Sequence, residues 1–155
     1  MPSSSDTPFT EQETALFREL EVRGVRFVLV GLAAAVLQGA DTTTQDLDLW
    51  FESLADPRIA QAARAAGGFY ATRTQPPMRS GSGLDRIDVV THCDGLRPFA
   101  DELDNTTRID IAGVELRLLD LDRIIASKEA AGRPKDLAVL PQLRAALTAK
   151  RSREK

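Results

Sequence analysis

At 155 residues, with 43% hydrophobic and 28% charged side chains, the chain has the balance of one globular domain, large enough to bury a core without metal or disulfide staples. A net charge of -3 argues against a chain-wide nucleic-acid footprint, and no DNA partner is expected. A single cysteine, Cys93, and a single histidine, His92, exclude an internal disulfide, a His-based triad and a His- or Cys-rich zinc site, which leaves carboxylates as the ligands for any metal.

Residues 1–8 are Ser- and Pro-rich and read as a disordered N-terminus, without the basic end and apolar core of a secretory leader. No apolar run approaches the roughly 20 residues that span a bilayer, so a cytoplasmic protein with no membrane partner is expected. One domain is expected over 9–149. It opens with a capping box, Thr10 and Glu13, ahead of a helix that turns Leu16, Phe17 and Leu20 inward until Gly24 ends it. Residues 25–30, VRFVLV, read as a buried strand, and after Gly31 the Ala- and Leu-rich run 32–37 reads as a helix on the sheet. A polar turn over 39–45 leads into the strand 46–51, DLDLWF, whose alternation puts Asp46 and Asp48 on one face and Leu47 and Leu49 on the other. Trp50 and Phe51 read as core.

Residues 57–66 predict a helix, 69–72 a short strand, and 75–83, with two prolines and two glycines, a mobile loop outside the core. The next strand, 84–91, carries Asp88 on the face of Arg86 and Val90. A hairpin over 108–118 turns at Ala112 and Gly113, and two helices close the chain over 120–131 and 134–149, with Gly132 ending the first and Pro134 opening the second. In the first of them Lys128 continues the inward stripe of Leu121, Ile124 and Ile125; in the second Asp136 aligns with Leu140, Leu143 and Leu147. The basic residues 150–155 read as a frayed, solvated tail. The fold class is therefore mixed α/β, of the α+β kind: a small mixed sheet with flanking helices and a C-terminal helical pair.

Two carboxylates on one strand face lie about 7 Å apart, close enough to hold a hard cation or share two. A third acid on another strand adds repulsion that bound Mg²⁺ or a raised pKa must relieve. Gly31 comes fifteen residues ahead of Asp46, between a buried strand and a helix start where unpaired N–H groups suit a phosphate. A triphosphate placed between that turn and the acids has the geometry of two-metal phosphoryl chemistry. A solvent-facing acid pair and a purely structural turn glycine are the plain alternatives. Among the arginines Arg79, Arg86 and Arg133, Arg86 is the first candidate for a phosphate contact, and equally a salt-bridge partner for Asp88.

The run VLVGLAAAVLQGADTTTQDLDLWF, with RIDVV further on, resembles the signature of the DNA polymerase beta-type nucleotidyltransferase superfamily. The segment LDLDRIIASKEAAGRPKDLAVLPQL is similar to its bacterial branch of minimal nucleotidyltransferases and abortive-infection toxins. The resemblance implies that Asp46, Asp48 and Asp88 are catalytic and metal-binding, for two Mg²⁺ ions, with a nucleoside triphosphate as substrate. It places Gly31, Leu32, Thr44, Lys128, Lys135 and Asp136 on the nucleotide side. Expected partners are the triphosphate, a toxin or antitoxin protein, or an RNA acceptor such as tRNA. The chain departs from the family pattern at Leu32, where a second glycine or a serine is usual, and at Thr42 to Thr44, where many members carry a basic residue. Both departures weaken the phosphate grip. They motivate a second reading, a degenerate domain that binds a partner in the manner of an antitoxin.

Overall fold

The computed structural model describes residues 7–71, 77–79 and 83–155. Of the residues 1–8 expected to be disordered, 1–6 lie outside that set.

The capping box forms as the sequence predicts. Thr10 Oγ1 accepts from the Glu13 N–H at 3.0 Å and Thr10 N–H donates to Glu13 Oε1 at 2.8 Å, starting α1 (Glu11–Val22). Leu16, Phe17 and Leu20 are buried on its inner face. Next come β1 (Phe27–Val30), α2 (Gly31–Leu37), β2 (Leu47–Phe51) and α3 (Pro57–Ala65). Two short strands, β3 (Phe69–Tyr70) and β4 (Met78–Arg79), pair with each other, and β5 (Ile87–Val90) follows. After α4 (Phe99–Glu102) and a 3₁₀ turn, the hairpin β6 (Thr106–Ile111) and β7 (Val114–Leu119) leads to α5 (Leu121–Ala131) and α6 (Pro134–Arg153).

Five strands form one sheet in the order β5-β2-β1-β7-β6. β2 runs parallel to β5 and antiparallel to β1, while β7 runs parallel to β1 and antiparallel to β6, so the sheet is mixed. On one face Phe17 of α1 stacks on Phe27 at 5.7 Å, and Phe27 meets Phe51 at 6.2 Å. Leu29 and Leu49, register partners on that face, are fully buried. On the opposite face Trp50, 1% exposed, takes the edge of Phe99 at 5.6 Å. The hairpin turn uses positive φ at both Ala112 (53°) and Gly113 (80°), the pattern of a two-residue primed turn.

Two expectations are corrected. The described part of the segment 75–83 is not a loop outside the core: β4 pairs with β3, and the long apolar side chain of Met78, 0% exposed, joins the hydrophobic core. The C-terminus does not fray at residue 149 either; α6 continues to Arg153, and Lys150 Nζ donates to Gln38 Oε1 at 3.2 Å, tying the last turns to buried Gln38 of the α2 terminus. No helix among the described residues is long and apolar enough to cross a membrane.

Candidate active site

The acids meet through strand pairing. In the parallel ladder of β2 and β5, Asp48 and Asp88 are direct register partners, so their side chains leave the same face of adjacent strands, roughly 5 Å apart at the backbone. Asp46 lies one residue ahead of β2 and is exposed. Across the other edge of β2, Asp48 pairs with Val30, the last residue of β1, so Gly31 begins α2 beside it.

Gly31 has φ +67°, in the left-handed region, and a Cβ there would stand 2.7 Å from Asp48 Oδ2. Glycine is required twice over, by the backbone conformation and by the carboxylate packed on its Cα.

A cleft of about 510 Å³ opens over these groups. β2 and β5 contribute Asp48, Asp88 and Val90, and the residues leading into β2 contribute Thr44 and Asp46. Leu32 comes from α2, and Lys128, Arg133, Lys135 and Asp136 come from α5 and α6. Thr44 Oγ1 is occupied locally, accepting from the Asp46 N–H at 3.2 Å. Asp88 Oδ1 accepts from the Val89 N–H at 2.9 Å. Burial pushes the Asp48 carboxyl above the usual range, and the charges of Asp88 and Asp46 push it the same way, against the pull of Lys128 and Lys135.

Lys128 does not snorkel into water. Its Nζ lies 3.3 Å from Asp136 Oδ1, and Asp136, 1% exposed, also takes Arg133 Nε on Oδ2 at 2.6 Å and the Arg133 backbone N–H at 3.2 Å. The Arg133 guanidinium, and then Lys128, hold the Asp136 carboxyl below the usual range against its burial. The first turn of α6 thus sets one buried acid between two cations, Lys128 of α5 and Arg133, at the cleft wall. Lys135 is exposed there.

Of the residues anticipated, Asp46, Asp48, Asp88, Leu32, Thr44, Lys128, Lys135 and Asp136 all line this one cleft, and Gly31 sits against Asp48. Arg86 does not join them. Its guanidinium forms a fork onto Glu13, with Nε 2.6 Å from Oε2 and an Nη 2.7 Å from Oε1, and it also donates to the Pro8 carbonyl. Glu13 is 0% exposed, and a buried carboxylate claims the nearest guanidinium more strongly than a surface acid can. Arg86 is neither a cleft residue nor the partner of Asp88.

Sequence reasoning overlooked a smaller compartment of about 160 Å³ that adjoins the cleft and shares Asp48, Val90, Lys128, Arg133 and Asp136 with it. Gly31 at the start of α2 lines it as well, with His92, Cys93, Asp94 and Ser127. Burial, then the charges of Asp48, Asp94 and Glu102, push the Cys93 thiol up to about 12, so it is neutral.

The fit to a divalent cation rests on the Asp48 and Asp88 pair. Their mutual repulsion and the burial of Asp48 leave negative charge that a cation would neutralise. Among the described residues no group of three or more acidic, His or Cys side chains is arranged to hold a metal. Mg²⁺ needs no such cage: it keeps waters and is commonly held by one or two carboxylates together with substrate phosphates. Two facing acids beside Lys128 and Lys135 fit that mode.

No protein-family model and no curated protein matches the chain. Solved structures do. The crystal structure of ANT(2'')-Ia in complex with adenylyl-2''-tobramycin aligns over 92% of this chain and 97% of that one, with a TM-score of 0.56 at 16% identity. The solution structure of the antibiotic-resistance factor ANT(2'')-Ia aligns over 92% and 91%, with a TM-score of 0.55 at 16% identity. Likeness at this identity speaks for architecture: a five-stranded mixed sheet with flanking helices and a C-terminal helical pair, the nucleotidyltransferase fold.

Proposed function

We propose that the chain is an Mg²⁺-dependent nucleotidyltransferase that moves a nucleoside monophosphate from a nucleoside triphosphate to a hydroxyl. The observation that carries this reading is the register of Asp48 on Asp88, facing a cleft whose other wall holds Lys128 and Lys135. Acids for a cation and cations for phosphate thus share one space, inside a fold that supports the same chemistry.

In the reaction the acceptor oxygen bonds to the α-phosphorus, the bond from that phosphorus to the β-phosphate oxygen breaks, and pyrophosphate leaves. Bound Mg²⁺ would stabilise charge on the attacking and leaving oxygens. Asp48 and Asp88 would hold the cation, and Asp46, exposed one residue ahead of β2, could join them. The Val89 N–H holds Asp88 Oδ1 at 2.9 Å, and Asp88 would also help to take the proton of the acceptor hydroxyl. Lys128, aimed by Asp136, and Lys135 face the triphosphate oxygens.

Protein and RNA hydroxyls are acceptors in this reading, and adenylyl-2''-tobramycin on the structural neighbour adds a small-molecule hydroxyl to the class. A role within a toxin-antitoxin or defence pair is part of the proposal. The test is incubation with labelled nucleoside triphosphates, Mg²⁺ and candidate acceptors, wild type beside Asp48→Ala. Label transferred by wild type alone supports the reading; equal label from both ends it.

Leu32 favours a second reading. It lines the cleft where a phosphate-contacting residue is expected, and no basic side chain stands at Thr42 to Thr44. A degenerate domain that works by binding a partner protein would give no heat on titration with ATP and Mg²⁺.

A further inference from the structure

β6 is the last strand on one side of the sheet, and among the described residues only β7 pairs with it. Its outer edge therefore presents unpaired backbone groups along six residues, TTRIDI, with no proline to blunt it. Ile109 and Ile111 pack on the core but stay only half-buried. An edge of this kind is a template for another strand.

The hairpin decides which groups point outward. Its two-residue turn closes on Ile111 and Val114 as a hydrogen-bonded pair, and the pattern alternates along an antiparallel ladder. Thr107 and Ile109 thus turn their N–H and C=O toward β7, in step with Asn105, whose carbonyl accepts from the Asp120 N–H at 3.0 Å. Arg108 and Asp110 turn theirs to the open edge. Their side chains are exposed and share one face. Within the chain each stands opposite its own sign, since Arg108 is the register partner of Arg117, and Asp110 of Glu115. Like charges directly opposed on a ladder are destabilising. Arg108 also reaches diagonally to Glu115 at 3.1 Å, but both side chains of that bridge are more than half exposed, and it contributes little. Toward β7 the charges of β6 repel; toward a second β6 they attract.

We infer that β6 is a self-complementary edge that pairs antiparallel with β6 of a second copy of this chain, about a two-fold axis through Ile109. In that register Arg108 of each copy faces Asp110 of the other, and the pair exchanges the backbone hydrogen bonds that both residues hold outward. On the face of Leu116 and Leu118, Ile109 meets its own copy and Ile111 meets Thr107, so the half-buried isoleucines are covered. An axis at Arg108 or at Asp110 opposes like charges, and an axis between residues sets outward groups against inward ones. The contact is isologous and closes after two copies, joining the two sheets into one. The acid-lined cleft lies toward the other side of the sheet, on β2 and β5, and stays open.

Sedimentation equilibrium from about 1 μM to about 1 mM tests the pairing on wild type, Arg108→Asp, Asp110→Arg and an equimolar mixture of the two variants. Wild type should dimerise within that range. Each substitution relieves a like-charge pair inside its own hairpin and so keeps the fold, yet it opposes like charges twice across the axis, and the dimer should weaken about tenfold or more. In the mixture the acids of Arg108→Asp face the arginines of Asp110→Arg in both halves, so a mixed dimer should form within about threefold of the wild-type affinity. Neither a misfolded variant nor a dimer built on another surface gives that recovery. A wild type that stays monomeric throughout, variants that dimerise as tightly as wild type, or a mixture no tighter than its components overturns the inference.

Discussion

Gly31→Ala probes the junction of backbone and acid most sharply. Alanine at φ +67° costs about 1–2 kcal/mol as a left-handed L-residue. Restricting the unfolded chain returns about 0.4–1 kcal/mol of that. The new methyl, 2.7 Å from Asp48 Oδ2, also drives the carboxylate off its position, because the Cβ is fixed to the backbone and only the acid can move. A net loss of about 1–2 kcal/mol lowers the melting temperature of a domain this size by about 2–8 °C. The informative assay is a double-mutant cycle by thermal or urea unfolding. With Asp48→Ala the clash disappears and only the φ strain remains, so the penalty of Gly31→Ala should shrink by about 0.5–1 kcal/mol. Affinity for Mg²⁺ with a triphosphate should fall in the single Gly31→Ala variant. An equal penalty in both backgrounds, with triphosphate binding unchanged, refutes the reasoning.

Other perturbations separate structural from functional charge. Because the Asp48 carboxyl is held above its ordinary range when folded, its ionisation costs stability as pH rises from about 4 through the raised value. Asp48→Asn should therefore melt higher than wild type at pH 7 and alike at pH 3, and saturating Mg²⁺ should narrow the gap at pH 7 by stabilising wild type alone. Asp136 has the opposite sign: its carboxyl is held low, so its stabilisation is present above about pH 4 and is lost as pH falls through the lowered value. Asp136→Asn should cost about 1–2 kcal/mol at pH 7, with the two melting curves converging in acid. Arg86→Ala strands the fully buried Glu13, a loss of about 3 kcal/mol in urea unfolding, at the low end because Arg86 is itself 34% exposed. Triphosphate binding by the folded Arg86→Ala protein should match wild type, since Arg86 lies outside the cleft.

Much of the site could be read from local pattern. Alternation in DLDLWF placed Asp48 opposite Leu47 and Leu49, and helical spacing put Lys128 on the stripe of Leu121, Ile124 and Ile125. Their partners could not be read this way. The register of Asp48 on Asp88 is fixed by a parallel pairing across a long crossover, and Lys128 finds Asp136 only because Gly132, at φ 64°, folds α6 back on α5. Arg86 was misassigned because strand alternation gives a face, whereas the buried Glu13 of α1 sets where a guanidinium ends. His92 and Cys93, named only as the lone residues of their kind, and Asp94 were not read as lining the site, because a short irregular turn has no period to betray it. Met78 was hidden among prolines and glycines that mark a loop, in a segment whose one long apolar residue is buried.

The central claim is that Asp48 and Asp88 together hold a divalent cation. Crystals grown with Mn²⁺ and a non-hydrolysable nucleoside triphosphate test it directly through the anomalous signal of the metal. The account predicts a peak bridging the two carboxylates and the phosphate oxygens, lost in Asp88→Ala. Phosphate density in the cleft with no peak between Asp48 and Asp88 at saturating Mn²⁺ would contradict it.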